Sequence, residues 1–239
     1  MIGRMPAFCL SLHAGYRCRH AGVCCRTWAV PVEPQVMQVV SARGLRRAGT
    51  AGPLFIPDAG GAGWRTARDA AGRCVFFDED RGRLCVTHAS AGPGALPSAC
   101  RHFPRVVLRD PRGTFVSLSH VCPTAASLLS GPGPLAVVEA PPSLLLDEPV
   151  EGLDAREALP PLLRPGLLTD IEGSAAWERA SLAILGRDDV TWVQALEWID
   201  AATGEIRRWR PGGGSLAGRV EAVFQAAGPV PAGSGLPGQ

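Results

Sequence analysis

The sequence contains no lysine, and all 24 of its basic residues are arginine. A Schiff-base lysine, the lysine of a phosphate-binding loop and a kinase-type lysine are therefore excluded. The abundance of Ala, Gly and Pro points to a GC-rich coding bias as the cause. No run of about eighteen apolar residues is present, so no membrane span and no membrane partner are expected. The stretch from Met1 to Cys18 has neither an apolar core long enough for a signal peptide nor a clean cleavage site, which makes the cytoplasm the expected compartment. No G-x-G-x-x-G turn follows a candidate strand, so no nucleotide fingerprint is found. The run Gly212-Gly213-Gly214 has no clear strand before it and reads as a connector. The paired C-x2-C spacing of zinc fingers is missing too, as is the C-x3-C-x2-C spacing of radical enzymes.

What is present starts with size. A chain of 239 residues, 46% of them hydrophobic, can bury a real core in one domain or one and a half, and is not wholly disordered. The net charge of +2 gives no reason to expect a nucleic-acid partner. That total conceals an asymmetry. Residues 1–122 carry sixteen arginines against seven carboxylates, a net of +9, and residues 123–239 carry eight against fifteen, a net of −7. All eight cysteines and all five histidines lie in the basic half. Ionised, ligated thiols would offset that positive charge. A solvated arginine-rich face is the plainer alternative.

Eight cysteines in a cytoplasmic chain point to metal binding or redox chemistry rather than disulfides. Most of them fall at turns or element edges. Tyr16 to Cys25 holds Cys18, Cys24 and Cys25 around Gly22, which permits a tight turn. Cys74 and Cys85 are expected to face each other across a hairpin. Cys100 follows a Gly/Pro loop and precedes Arg101 and Arg105, which could pair with thiolates, sulfide or a cofactor. Cys122 abuts Pro123 at a helix start, where free N–H groups favour a thiolate. His13, His88, His102 and His120 are further candidate ligands or bases. His102 and His120 are the ones placed to line a site beside Cys100 and Cys122. The metal set is thus Cys18, Cys24, Cys25, Cys74, Cys85, Cys100 and Cys122, with His20 available as an eighth ligand. Seven clustered thiols exceed one zinc tetrahedron. A 4Fe–4S cluster, which tolerates scattered spacing, is placed slightly ahead of zinc.

The expected fold class is α+β: a small irregular cysteine-rich domain with two short hairpins, followed by a C-terminal helical layer. Residues 1–26 read as irregular, Thr27–Glu33 as a strand, Pro34–Ser41 as a helix and 48–63 as a loop. The hairpins pair Cys74–Phe77 with Leu84–Thr87, and Val106–Leu108 with Thr114–Leu118 through the turn Asp110-Pro111-Arg112-Gly113. Pro123 opens a helix to Ser130. Helices capped by Ser174 and Asp189 follow, running to Leu185 and about Ala202, with a third over Ser215–Ala227. Trp192, Leu196 and Ile199 form the apolar stripe of the second of these. The domain division is 1–130 for the metal-binding domain, 131–166 for a proline-rich connector packed on it, 167–228 for the helical layer and 229–239 for a disordered tail.

Four runs carry a family resemblance. Tyr16 precedes Cys18, Ala21, Cys24 and Cys25. Cys74 and Cys85 follow with a short loop between them. Leu96 to Arg105 reads Leu-Pro-x-x-Cys-Arg-x-aromatic-Pro-Arg, and Ser117 to Ala126 reads Ser-Leu-Ser-x-x-Cys-Pro-x-Ala-Ala. Over about residues 8–130 the chain resembles the cysteine-cluster family described as a zinc- or iron-chelating domain, with motifs closest to its flagellin lysine-N-methylase branch. The resemblance implies thiolate-bound metal. It extends to S-adenosylmethionine as a cofactor and methyl transfer to a lysine-bearing protein client. A structural zinc module that presents the acidic helices to a protein is the third reading. Ala21 stands where the family has its second cysteine, so His20 or Cys9 substitutes there or the ligand is absent.

Overall fold

The computed structural model describes residues 5–61, 63–80, 82, 84–145, 152–160 and 162–226. The expected tail 229–239 lies outside them. In chain order the elements are β1 (Ala7–Leu10), α1 (Cys24–Thr27), β2 (Pro31–Val32), α2 (Pro34–Ala42), β3 (Phe55–Pro57), β4 (Trp64–Thr66), β5 (Phe77–Asp78) and β6 (Leu84–Cys85). Then come α3 (Val86–Ala91), α4 (Ser98–His102), β7 (Arg105–Asp110), β8 (Gly113–Leu118), α5 (Pro123–Ala126), β9 (Val137–Glu139) and β10 (Leu153–Asp154). Three longer helices close the chain: α6 (Ile171–Leu185), α7 (Trp192–Ile206) and α8 (Leu216–Ala226). The fold is α+β, with most of the strands in the cysteine-bearing half and the long helices after the last strand. Among the described residues no helix is long and apolar enough to cross a membrane.

The hairpin of β7 and β8 forms as its turn residues dictate. Asp110 pairs with Gly113, only Pro111 and Arg112 lie between, and the Asp110 carboxylate accepts the Arg112 N–H at 2.8 Å. It is the centre of a larger sheet in the order β10-β7-β8-β1-β9. β1 arises from the stretch read as irregular and runs parallel to β8, and β9 and β10 come from the connector. These short strands escape a local reading because their hydrogen-bond partners lie far away in sequence, as in Phe8 with Phe115 and Leu153 with Leu108. One core packs on this sheet from Cys9, Val107, Val116, Leu118, Tyr16, Cys122 and Leu144.

A second core surrounds the cysteine loops, built from Val36 and Val40 of α2 with Val75, Phe76 and Phe77. Pro34 starts α2 as expected, because the N–H it lacks would be unpaired there anyway. Three expectations fail in this region. Residues 55–57 and 64–66 form strands of a three-stranded sheet, β2-β4-β3, within and beside the supposed loop. The strand expected over Thr27–Glu33 shrinks to Pro31–Val32, while Thr27 ends α1. Val86 and Thr87 begin helix α3 instead of extending β6. Asp69 ties this layer together. It accepts Arg47 Nη2 and Arg73 Nε at 3.0 Å each, and the Arg73 N–H at 2.9 Å.

Burial alone would raise the pKa of Asp69, but the Arg73 amide and the Arg47 and Arg73 guanidinium groups hold it at about 2. A carboxyl with a depressed folded-state value stabilises the fold above its ordinary value near 3.9 and loses that contribution as pH falls toward 2. Melting temperature followed between pH 5 and pH 2 should therefore fall more steeply for the wild type than for Asp69→Asn. Parallel curves would remove Asp69 from the account.

The last three helices share the third core. The caps lie a few residues off the expected ones. Asp170 rather than Ser174 caps α6, its carboxylate accepting the Gly173 N–H at 2.6 Å. Thr191 rather than Asp189 caps α7, in a reciprocal box with Gln194. The expected stripe also rotates. Ala195, Trp198, Ile199, Ala202 and Ile206 are buried, while Trp192 is 73% exposed and Leu196 50% exposed. The two alanines let neighbouring helices approach, a preference that large apolar residues on the other face conceal. The Arg112–Glu178 ion pair links β8's turn to α6.

Candidate metal centre

The seven cysteines of the expected metal set, Cys18, Cys24, Cys25, Cys74, Cys85, Cys100 and Cys122, line one cavity of about 470 Å³ together with His20, Arg101 and Arg105. Of the further candidate histidines His88 lines it, and His13, His102 and His120 do not. The cavity lies between the sheet core and the α2 core, since Tyr16 and Cys122 come from one and Val36, Val40, Cys74 and Phe76 from the other. Its lining includes Arg17, Arg101 and Arg105 and, among the described residues, no carboxylate. The eighth cysteine, Cys9, is a buried strand residue paired with Val116 and Val138 and takes no part in the lining. None of the eight is in a disulfide.

The first thiols converge because the chain reverses at His20 and Gly22, both of positive φ, at 54° and 74°. Glycine at 22 is required twice over. A Cβ there would also stand 2.6 Å from Phe77 Cζ. Phe77, fully buried, thus seats the turn that delivers Cys24 and Cys25 into the first helical turn of α1. The Cys25 carbonyl accepts the Cys74 N–H at 2.7 Å, which locks the two cysteine segments together. Cys74 does not face Cys85 across the hairpin, contrary to expectation. Phe77 is the partner of Cys85, and Cys74 forms a bridge with Arg68. Both thiols still reach the cavity, because Cys85 sits at the N-cap of α3. Cys100 is brought in on α4, whose first amide, that of Ser98, donates to Glu33 at the start of α2 at 3.0 Å. Cys122 N-caps α5 as expected, but its sulfur makes no capping hydrogen bond there.

The thiols fall into two neighbourhoods. Cys24, Cys25, Cys74, Cys85 and Cys100 are near enough that a charge on one disfavours charge on others. The Sγ atoms of Cys24 and Cys25 are 3.9 Å apart. The hydrogen bond between the two thiols draws the Cys24 pKa down to about 7, while that same hydrogen bond, and then burial, push Cys25 up. Burial is the main cause raising Cys74, Cys85 and Cys100. At Cys85 the amides of His88 and Thr87 oppose it. A bound cation would reverse this penalty by making the thiolate the favoured form.

Cys18 and Cys122 belong to the second neighbourhood, around Tyr16. The Tyr16 Oη is 4.0 Å from Cys122 Sγ. Burial first, and then the charges of Cys18 and Cys122, push the Tyr16 phenol well above its usual range. Arg105 packs its guanidinium 6.0 Å from the ring centre. All three of its nitrogens also donate to carbonyls, those of Leu144 at 2.7 Å, Ser143 at 3.2 Å and Arg101 at 3.3 Å. Arg105 therefore straps residues 143–144 against the cavity.

His20 lines the cavity, and its backbone N–H donates to Cys18 Sγ at 3.4 Å. Of the two substitutes considered for the cysteine missing at Ala21, the structure brings His20 to the chamber and leaves Cys9 in the sheet. His88 joins it, with ring centres 5.8 Å apart. Its place three residues after Cys85, in the first turn of α3, is the sequence signal that selects it over the other histidines. His102 and His120, expected beside Cys100 and Cys122, do not line the cavity. The Nε2 of His120 instead meets Nε2 of buried His13 at 3.2 Å. Among the described residues no three His, Cys, Asp or Glu side chains close on a common point as a ready metal cage. The thiols surround a chamber rather than a finished tetrahedron. No family model, no curated protein and no solved structure matches the chain.

Proposed function

We propose that the protein is a thiolate metal-binding protein that holds an iron–sulfur cluster in this chamber, with zinc as the competing occupant. One observation carries the reading. Seven cysteines scattered from position 18 to 122 line a single cavity, and the one cysteine outside the recognisable runs does not. Core thiols chosen only for their apolar character would have no reason to gather at one void.

The donor set fits a soft metal: thiolates and imidazoles, with arginines rather than carboxylates around them. Zinc ligated at about 2.3 Å needs sulfurs about 3.8 Å apart at one point. Cys24 and Cys25 stand at that separation, 3.9 Å, and among the described residues no three candidate ligands close on one point. A cluster takes one thiolate on each of several irons and so suits a wider ring of sulfurs. Anaerobically purified protein is expected to contain iron and acid-labile sulfide in stoichiometric amounts, with broad visible thiolate-to-iron absorption. Colourless protein loaded with zinc and free of sulfide would replace the cluster with zinc, and protein with neither would defeat the reading.

A further inference from the structure

A second cavity, of about 570 Å³, lies on the other side of Thr66, which lines both. Its charged lining is Arg47, Arg65, Arg68 and Asp69. Arg47 and Asp69 neutralise each other at 3.0 Å. Arg65 pairs loosely with Asp58, which stands outside the lining, so the lining itself keeps a net charge of +2. Arg65 Nε has no hydrogen-bond acceptor, its closest carboxylate oxygen, Asp58 Oδ1, being 4.0 Å away. Arg68 spends Nη1 on the carbonyls of Arg26 and Gly72, but its buried Nη2 has no acceptor either.

Guanidinium N–H groups withdrawn from water without an acceptor are costly to keep, and they recur where an oxyanion completes them. Arg65 lies in β4 and Arg68 follows its end, where its backbone bridges Cys74, so ordered backbone carries both. A lining of net charge +2 matches a dianion better than a monoanion. The remaining wall, from Ile56, Ala67 and Val75, is apolar, and the volume exceeds that of a bare ion. We infer that this cavity binds a small phosphate monoester, with Arg65 and Arg68 as the phosphate-binding residues and the apolar wall receiving the organic part. The inference does not depend on what the thiol chamber holds.

The test is titration of the full-length protein, as purified, with inorganic phosphate and with phenyl phosphate at constant ionic strength, followed by calorimetry and by 31P line width. Acetate and benzoate serve as the carboxylate arms. Saturable binding of both phosphates is expected, tighter for phenyl phosphate, with the carboxylates weaker. Arg65→Gln should weaken phosphate binding about tenfold or more, the loss of a charged hydrogen bond. Arg179→Gln, an exposed change on α6, should leave it unaltered. No saturable binding by the wild type would overturn the inference, as would carboxylates binding as tightly as phosphates, or equal responses from the two variants. Should Arg65→Gln fail to fold, the wild-type titrations decide alone, because absence of saturation or of phosphate preference is already fatal.

Discussion

Replacing Cys24, Cys74, Cys100 or Cys122 by serine, one at a time, is expected to remove at least about half of the bound metal, whereas Cys9→Ser is expected to keep it. Serine preserves shape but supplies a hard, un-ionised oxygen where a soft thiolate is required. The four positions sample three segments of the five-thiol neighbourhood and one of the Tyr16 neighbourhood. Cys9→Ser acts elsewhere. It places a hydroxyl in the sheet core between Val116 and Val138, at a cost of about 1–3 kcal/mol unless a partner is found. The two kinds of variant should therefore separate cleanly, with metal lost from one and thermal stability from the other. Metal per chain after anaerobic purification, read beside circular dichroism to exclude unfolding, measures both. Full metal content in all four would end the ligand assignment.

Gly22→Ala should be the most damaging change of a small residue in the chamber. Two independent penalties meet at that position. The backbone sits at φ 74°, where an L side chain costs about 1–2 kcal/mol. The new methyl also meets Phe77 at 2.6 and 2.7 Å, and overpacking of this kind costs about 1–3 kcal/mol. Together these are about 2–5 kcal/mol, and roughly 2–4 °C of melting temperature per kcal/mol for a chain of this length gives a loss of about 4–20 °C. Because Phe77 seats the turn leading to Cys24 and Cys25, metal content should fall as well. Adding Phe77→Leu should relieve the steric part and leave the backbone part, so the double variant should be more stable than the sum of the two single losses predicts. Strict additivity would show that Phe77 is not what constrains the turn.

The candidate site was more legible than the fold. The chemistry of a thiolate site is written in residue type and in the punctuation around it. Gly22 marks the reversal, Pro123 the helix that follows Cys122, and the Leu96–Pro97 run the start of the helix bearing Cys100. Those signals are local, and they placed most of the candidate cysteines at an edge that could turn inward. The histidines show the limit. His102 and His120 are neighbours of cysteines in sequence but leave the chamber, because one residue along a short helix or turn swings the side chain through a large angle. His88, three places from Cys85 on a helix, keeps the same side.

The sequence by itself determined the α+β class, the β7–β8 hairpin, the starts of α2 and α5 and the existence of three C-terminal helices, since each rests on a turn, a proline or a periodicity contained within a few residues. Only the tertiary structure decided which strands flank that hairpin. β1 is parallel to β8 and β9 is antiparallel to β1, and such non-local pairs leave almost no trace in short segments. It also decided which face of α7 is buried, because two small alanines outweigh an exposed tryptophan when helices must approach closely. The cavity itself was decided last. Seven thiols become one chamber because the sheet core and the α2 core meet around them, a consequence of packing between segments that the order of residues lists far apart. The missing lysine retains its first meaning: lysine chemistry within the chain is excluded while a lysine on a partner stays open, and the guanidinium groups around both cavities are those of arginine.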